Sequence, residues 1–141
     1  MATWDEFKKT TVRPMTLVDA AKANDVAAIE DLLAAGAELD ARDARGFSAL
    51  MLAAYGGSAE AFDVLLARGA DANTADGSGN SVLMGACFKG HLEMVKKLLA
   101  AGADARAKNA QGVDALGFAT TFGRSDVAAH LRSLGLDLPQ P

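Results

Sequence analysis

The side chains of this chain with the greatest capacity for chemistry are a cysteine and a histidine four residues apart. On one continuous helix, Cys87 and His91 could offer a thiolate and an imidazole to a metal ion or a haem iron. Gly90 stands between them and breaks helices, so the spacing favours a buried core thiol and a residue that begins the next helix. We therefore predict no bound metal or other cofactor, with Cys87 and His91 as the candidate ligands if one is present.

Other catalytic patterns are missing from the sequence. The second histidine, His130, has no candidate nucleophile near it, so no arrangement of nucleophile, base and orienting group is evident. The segment Gly77-Ser78-Gly79 lacks the Lys-Ser/Thr pair that completes a phosphate-binding loop. Three aspartates, Asp71, Asp76 and Asp104, stand at positions typical of turns. We predict a protein that is not an enzyme.

The elements that must position these residues recur with a period of 33 residues. The period relates these sets: Gly46/Gly79/Gly112, Leu50/Leu83/Leu116, Ala53/Ala86/Ala119, Gly57/Gly90/Gly123, Leu65/Leu98/Leu131 and Gly69/Gly102/Gly135. A fixed period of this length indicates one supersecondary unit copied along the chain, each copy burying its apolar face against its neighbours. Function is then expected on a repetitive surface.

One copy, residues 43–75, shows the local signals most clearly. A turn at 43–46 precedes Ser48, which can cap a first helix, and Gly57 ends that helix. A second helix follows with apolar residues at helical spacing, and Gly69 stands where a left-handed capping residue is expected. Helices of about eight to ten residues are unstable alone in water, so packing between copies must stabilise them.

This order of turn, helix, break and helix resembles the ankyrin repeat. Gly-Ala-Asp occurs at 69–71 and 102–104, and Gly-His-Leu-Glu at 90–93. The resemblance implies an all-α ankyrin-repeat solenoid of stacked helix-turn-helix units with β-turn fingers. The usual Thr-Pro-Leu-His is replaced by Ser-Ala-Leu-Met at 48–51 and Ser-Val-Leu-Met at 81–84. We expect Met51 and Met84 to join neighbouring repeats by packing alone, in a softer stack.

In this register the chain divides into six segments. We predict an N-terminal capping helix at 1–9, four repeats at 10–42, 43–75, 76–108 and 109–138, and a frayed tail at 139–141. The terminal repeats differ from the middle two, as capping units do because one side of each meets water.

Composition narrows the class of protein. The net charge of −4 and the lack of a basic run argue against nucleic-acid binding, and no apolar stretch is long enough to span a membrane. The single cysteine permits no intramolecular disulfide, and the amino terminus does not resemble a signal peptide. We expect a cytoplasmic protein that is a monomer on its own. Non-classical secretion stays open.

The resemblance also implies where a partner would bind. In ankyrin repeats the finger tips and the exposed end of each first helix line a concave groove. The partner-binding positions predicted from this register are Arg42, Arg45, Phe47, Tyr55, Asn80, Phe88, Lys89, Lys108, Gln111, Val113 and Phe122. Aromatic residues and arginine are enriched in interfaces, and this set contains no acid. We expect an apolar groove with a basic edge, acids on the back, and Tyr55 and Phe88 side by side.

These positions favour a non-catalytic module that binds a loop, helix or peptide of another protein. Two alternatives stay open. Residues 83–90 and 122–124 resemble a group of small stand-alone bacterial ankyrin proteins sometimes encoded beside catalase, which implies an accessory protein that handles haem for a catalase-like enzyme. The third hypothesis is a secreted bacterial effector that binds host proteins.

Overall fold

Four pairs of short helices make up the part of the chain that the structure, a computed structural model, describes, residues 14–138. The first helices pack side by side as an inner row: α1 (Leu17–Lys22), α3 (Ala49–Gly56), α5 (Val82–Lys89) and α7 (Ala115–Thr121). The second helices form the outer row: α2 (Val26–Ala34), α4 (Ala59–Ala67), α6 (Leu92–Ala100) and α8 (Ser125–Ser133). This confirms the predicted all-helical solenoid. The predicted capping helix at 1–9 and the tail at 139–141 lie outside the described residues.

The inner helices begin and end at the residues that the sequence signals indicate. Ser48, Ser81 and Asp114 each accept a hydrogen bond from the backbone N–H three residues on, at 3.2, 3.1 and 2.9 Å. Gly57 and Gly90, with φ of 68° and 76°, end α3 and α5 in the left-handed conformation that glycine adopts without strain.

Three β-turn fingers project from the stack at 42–48, 75–81 and 108–114. In each, the carbonyl of the first turn residue accepts from the N–H three residues on, as from Gly46 to Asp43 at 2.9 Å. Neighbouring fingers are joined directly: the Ala110 N–H donates to the Ser78 carbonyl at 3.0 Å, and the Asn109 side-chain amide donates to Asn80 Oδ1 at 2.8 Å. The third finger therefore buttresses the second.

The core consists mainly of alanine and leucine between the two rows. Leu50 and Leu83 are buried on the inner helices, and Leu65 and Leu98 at equivalent positions of the outer helices. Met51 is also buried, as expected from its place between repeats. This core is continuous from one helix pair to the next, which is how such short helices are stabilised.

Hydrogen bonds also link the repeats, at positions other than those of Met51 and Met84. A loop edge, formed by the loops that follow the outer helices (35–41, 68–74 and 101–107), carries hydrogen bonds from one repeat to the next. Asp40 Oδ1 accepts from the Asp71 N–H at 2.9 Å, and Asn73 Oδ1 accepts from the Asp104 N–H at 2.7 Å. Arg106, 33 residues after Asn73, donates to carbonyls of the last loop. Polar links therefore exist at positions other than the Thr–His pair.

In a further link between repeats, an asparagine of the first repeat caps an outer helix of the second repeat. Asn24 has φ of 55°, an uncommon value that asparagine tolerates, at the position equivalent to Gly57. Its Oδ1 accepts from the Ala61 N–H at 2.9 Å, and its Nδ2 donates to Glu60 at 2.8 Å. Because Ser58 makes no side-chain capping bond, Asn24 supplies the missing cap of α4. Across residues 14–138, no helix combines the length and apolarity that a membrane crossing requires.

Candidate partner-binding groove

A pocket of about 410 Å³ opens between the inner helices α3, α5 and α7. We call it the central pocket, and it is lined by Tyr55, Asn80, Met84, Gly85, Phe88, Lys89, Phe118 and Phe122. Five of these residues belong to the predicted partner-binding set, which the structure therefore brings together in part. Three of them, Tyr55, Phe88 and Phe122, are aromatic.

The aromatic rings form a cluster on the α7 side of the pocket. Phe88 and Phe122 meet edge to face with ring centroids 4.6 Å apart, and Phe118 lies nearly parallel to Phe122 at 6.1 Å. Tyr55 instead meets Phe47 edge to face at 5.8 Å. Among residues 14–138 the ring pairs do not include Tyr55 with Phe88, although both rings line the same pocket. That they lie side by side about one repeat apart stays a prediction.

A glycine on α5 stands where the neighbouring helices carry large side chains, and the ring of Tyr55 occupies the space that its side chain would take. In the 33-residue register, Gly85 on α5 corresponds to Leu52 on α3 and Phe118 on α7. A Cβ atom at Gly85 would lie 1.9 Å from Cε1 of Tyr55, so the tyrosine ring lies directly over this glycine. Burial of the ring, together with the charge of Asp76, raises the pKa of Tyr55 to about 12.

Met84, Gly85 and Phe118 were not predicted to line a pocket. The signal that could have found it is the register itself, because Gly85 is the one glycine among the equivalent positions 19, 52, 85 and 118. Met84 contributes although it is 1% exposed, since its thioether forms part of the inner wall.

Positive charge gathers where α5 ends. The Nζ atom of Lys89 lies 5.5 Å from the centroid of the Phe88 ring, within cation–π range. Arg124 Nε donates to the Phe88 carbonyl at 2.8 Å. Burial lowers the pKa of His91, and the charges of Lys89 and Arg124 lower it further. We call Lys89, which lines the pocket, and Arg124, which contacts the carbonyl of the lining residue Phe88, the cationic end of the central pocket.

The second finger, whose Asn80 lines the pocket, also holds a carboxylate outside the lining that is already hydrogen-bonded. Asp76 Oδ1 accepts from the backbone N–H groups of Ser78 and Asn80, at 2.9 and 3.0 Å. Its Oδ2 lies 3.4 Å from the donor Nδ2 of Asn80. Among the described lining residues of the pocket none is an acid, while Lys89 carries a positive charge and Asp76 lies next to the lining residue Asn80.

The finger arginines are exposed, and both are also engaged in contacts within the chain. Arg42 donates to the Gly46 carbonyl at 3.0 Å and to Thr74 Oγ1 at 3.2 Å, and it also reaches the Ala75 carbonyl. Arg45 pairs with Asp43 at 2.9 Å and lies 4.9 Å from the Phe47 ring centroid. The first finger thus joins repeats through Arg42.

The expectation that the acids lie on the back is correct only in part. On the outer helices Asp63 pairs with Lys97 of the next repeat at 2.7 Å, and Glu30 pairs with Arg68. Asp43 and Asp76, however, lie in the fingers, because their carboxylates hold the turns together. Turn formation, which we predicted for Asp76, therefore places acids next to the groove.

Three other predicted residues lie outside the central pocket. Lys108 and Gln111 are exposed on the third finger. Val113 is half-buried, and its Cγ1 atom would be 2.9 Å from a Cβ added at Gly117, so its side chain packs over the start of α7. The third finger contributes to the groove by supporting Asn80 through Asn109.

Cys87 and His91 do not lie on one helix. The helix α5 ends at Lys89, Gly90 takes the left-handed conformation, and His91 is the residue that begins α6. Cys87 is fully buried, and burial, together with the charge of Asp114, raises the pKa of its thiol to about 12. Within residues 14–138 no three His, Cys, Asp or Glu side chains form a group that could hold a metal ion.

Comparison with known proteins gives one clear result. The family model described as ankyrin repeats (3 copies) matches residues 17–109, about two-thirds of the chain. Comparison with curated proteins finds no similar sequence. The helix pairs, the glycine-ended inner helices and the three fingers agree with that match, and the chain belongs to the ankyrin repeat family.

Proposed function

We propose that this chain is a non-catalytic module that binds another protein through the groove around the central pocket. Ankyrin repeats are general protein–protein interaction modules. The observation that carries the proposal for this chain is the aromatic cluster around the pocket, in which Phe122 remains 45% exposed next to Phe88. Aromatic residues that surround an open apolar pocket are typical anchors of protein interfaces.

The aromatic rings of the pocket lie at the protein surface and not in the core. A ring that served only the fold would be buried in the core, as Phe62 is. Phe88 and Phe122 instead bury part of their surface against each other and leave the rest to water, so a partner that covers them gains the hydrophobic free energy that folding has left unused. Lys89 adds a charged rim, which favours rapid and selective association.

The same features support the other parts of the proposal. The pocket is apolar and offers few cations, which favours a protein partner over a nucleic acid. We also propose a monomer that acts in the cytoplasm. No observation favours the haem-handling or effector alternatives, and the described lining of the pocket includes no histidine or cysteine to ligate a haem iron.

Affinity capture with a matched pair of variants tests the proposal. Phe88→Ala/Phe122→Ala should keep the circular dichroism spectrum of the wild type and lose at least about 2 kcal/mol of binding free energy toward a purified captured protein. Leu134→Ala/Leu138→Ala, which truncates side chains 53% and 62% exposed outside the pocket, is the control and should bind like the wild type. Equal binding by all three proteins would contradict the proposal.

A further inference from the structure

We propose that the central pocket receives a partner segment that places one large apolar side chain against the aromatic cluster and an aspartate or glutamate beside Lys89. This inference rests on the proposed function and adds the chemistry of the partner to it. Three observations carry it: the shape of the pocket beside Gly85, the charge distribution around it, and its access to solvent.

The apolar part of the site follows from Gly85. The ring of Tyr55 occupies the space that a side chain at Gly85 would take, so the glycine allows Tyr55 to form one wall of the pocket. Tyr55 covers one side of the glycine, while Phe88, Phe118 and Phe122 form the other wall. A volume of about 410 Å³ is near the low end for pockets that enclose small ligands, so it suits one or two side chains and not a whole helix.

The charge distribution around the pocket sets the position of the acid. Lys89 is exposed and, among the described residues, has no carboxylate partner. Arg124 lies beside it and adds positive potential. At the second finger, Asp76 repels a second carboxylate, while its own oxygens already accept hydrogen bonds. A segment with an acid close to its apolar anchor is therefore complementary in one orientation, with the acid toward the cationic end.

The exposure of Phe122 indicates how the segment enters. This ring stands at the mouth of the pocket, 45% exposed, so the main chain of the partner can lie outside while one side chain points inward. The partner is thus a protein segment with an accessible aromatic or large aliphatic residue and a nearby acid. A free anion would interact only with the cationic end, and an uncharged apolar ligand would interact only with the aromatic cluster.

The test uses three synthetic peptides in a Gly/Ser frame with blocked ends. They carry Phe and Glu, Phe and Gln, or Ala and Glu, at the same spacing, and binding to the full chain is followed by NMR chemical shifts. Phe/Glu should shift the amides of Gly85 and Lys89 and bind about two- to five-fold more tightly than Phe/Gln, the size expected for an exposed ion pair. Ala/Glu should leave the Gly85 amide unshifted.

Two pairs of variants separate the parts of the site. Lys89→Gln should abolish the preference for Phe/Glu over Phe/Gln, whereas Lys96→Gln, exposed on outer helix α6, should preserve it. Gly85→Ala should displace the Tyr55 ring and weaken Phe/Glu at least about ten-fold, the scale of a lost anchor contact. Gly56→Ala, whose Cβ would come no nearer than 3.5 Å to Ser58, is its control. If Gly85→Ala does not fold, Phe122→Ala replaces it with the same expectation.

The outcomes distinguish this inference from the proposed function. Equal binding of Phe/Glu and Phe/Gln, or no shift at Gly85 with any peptide at millimolar concentration, overturns the inference. If captured partners still depend on Phe88 and Phe122 in that case, the proposed function stands. Capture that is independent of those rings overturns both.

Discussion

The loop edge and the central pocket are both built from the 33-residue repeat, yet their side chains have different roles. At the loop edge, Asp40, Asn73 and Arg106 hydrogen-bond to the backbone of the following repeat. Around the central pocket, Phe88 and Phe122 contact each other and water. The loop edge links neighbouring repeats, and the central pocket leaves aromatic surface exposed to water.

This difference indicates how substitutions should divide. Loss of a hydrogen bond that satisfies backbone groups of the next repeat lowers the free energy of unfolding, because a neighbour loses its partner. Loss of a half-exposed ring removes surface that the fold does not need. Substitutions at the loop edge should therefore lower stability, and substitutions around the central pocket should weaken binding.

The largest expected effect concerns Cys87, on α5 between Gly85 and Phe88, which line the pocket. Because burial raises the pKa of its thiol to about 12, the reactive thiolate is scarce at pH 8. We expect alkylation of the native protein to be slower than that of the denatured protein by at least about a hundred-fold. Rapid alkylation of the native state would show that the buried face of α5 opens to solvent.

The next largest effect belongs to the loop edge. Gly102 has φ of 95° with open space around its Cβ position, so Gly102→Val strains the backbone without a steric clash. It should lower the free energy of unfolding by about 1–3 kcal/mol in denaturant titrations. Gly77→Val is the control, because Gly77 also faces open space but lacks a positive φ. Equal losses in the two variants would mean that the conformation at Gly102 is not the cause.

Asn73 should show a somewhat smaller effect. Its Oδ1 accepts from the Asp104 N–H at 2.7 Å and its Nδ2 donates to the Gly102 carbonyl at 3.2 Å. Asn73→Ala removes both bonds and should lower the free energy of unfolding by about 1–2 kcal/mol. Asn73→Asp retains the acceptor and should lose less. Unchanged partner binding by the folded Asn73→Ala protein would sharpen the division between the two regions.

The smallest effect is expected on the outer helices. Asp63 and Lys97 pair at 2.7 Å across repeats, but both side chains are about half exposed. Lys97→Ala should therefore change the free energy of unfolding by at most about 1 kcal/mol, and the change should shrink as salt is added. A larger loss of stability that does not shrink with added salt would show that the outer helices contribute as much to the free energy of unfolding as the loop edge.

Local signals predicted the fold well because each acts within a few residues. Ser48 and Ser81 cap the helices that they precede, and the glycines at 57 and 90 end those helices, as the sequence indicated. The links between repeats were harder to foresee. Asn73 and Arg106 are unremarkable in sequence, and their role depends on which backbone group of the next repeat lies within reach.

The repeat register predicted which residues lie near the candidate site, and the contacts in the structure show which of them line the pocket. Tyr55, Phe88 and Phe122 do line one pocket, but Arg42 faces the next finger and Lys108 lies apart from the pocket. Register states which positions face the same side of the stack. It does not state which donors are already used, because that depends on distances of a few tenths of an ångström between repeats.

The sequence by itself determined the period, the helix ends and the apolar faces, and with them the ankyrin architecture, because short-range capping and helical spacing specify each of these. Only the tertiary structure decided that a pocket would form beside Gly85. The ring of Tyr55 from α3 occupies the space that a side chain at Gly85 would take, and Phe118 from α7 lines the opening next to it. The charge distribution arose the same way, since Asp76, near Tyr55, and Lys89, near Phe88, come close to rings of one pocket only after the helices and fingers have stacked.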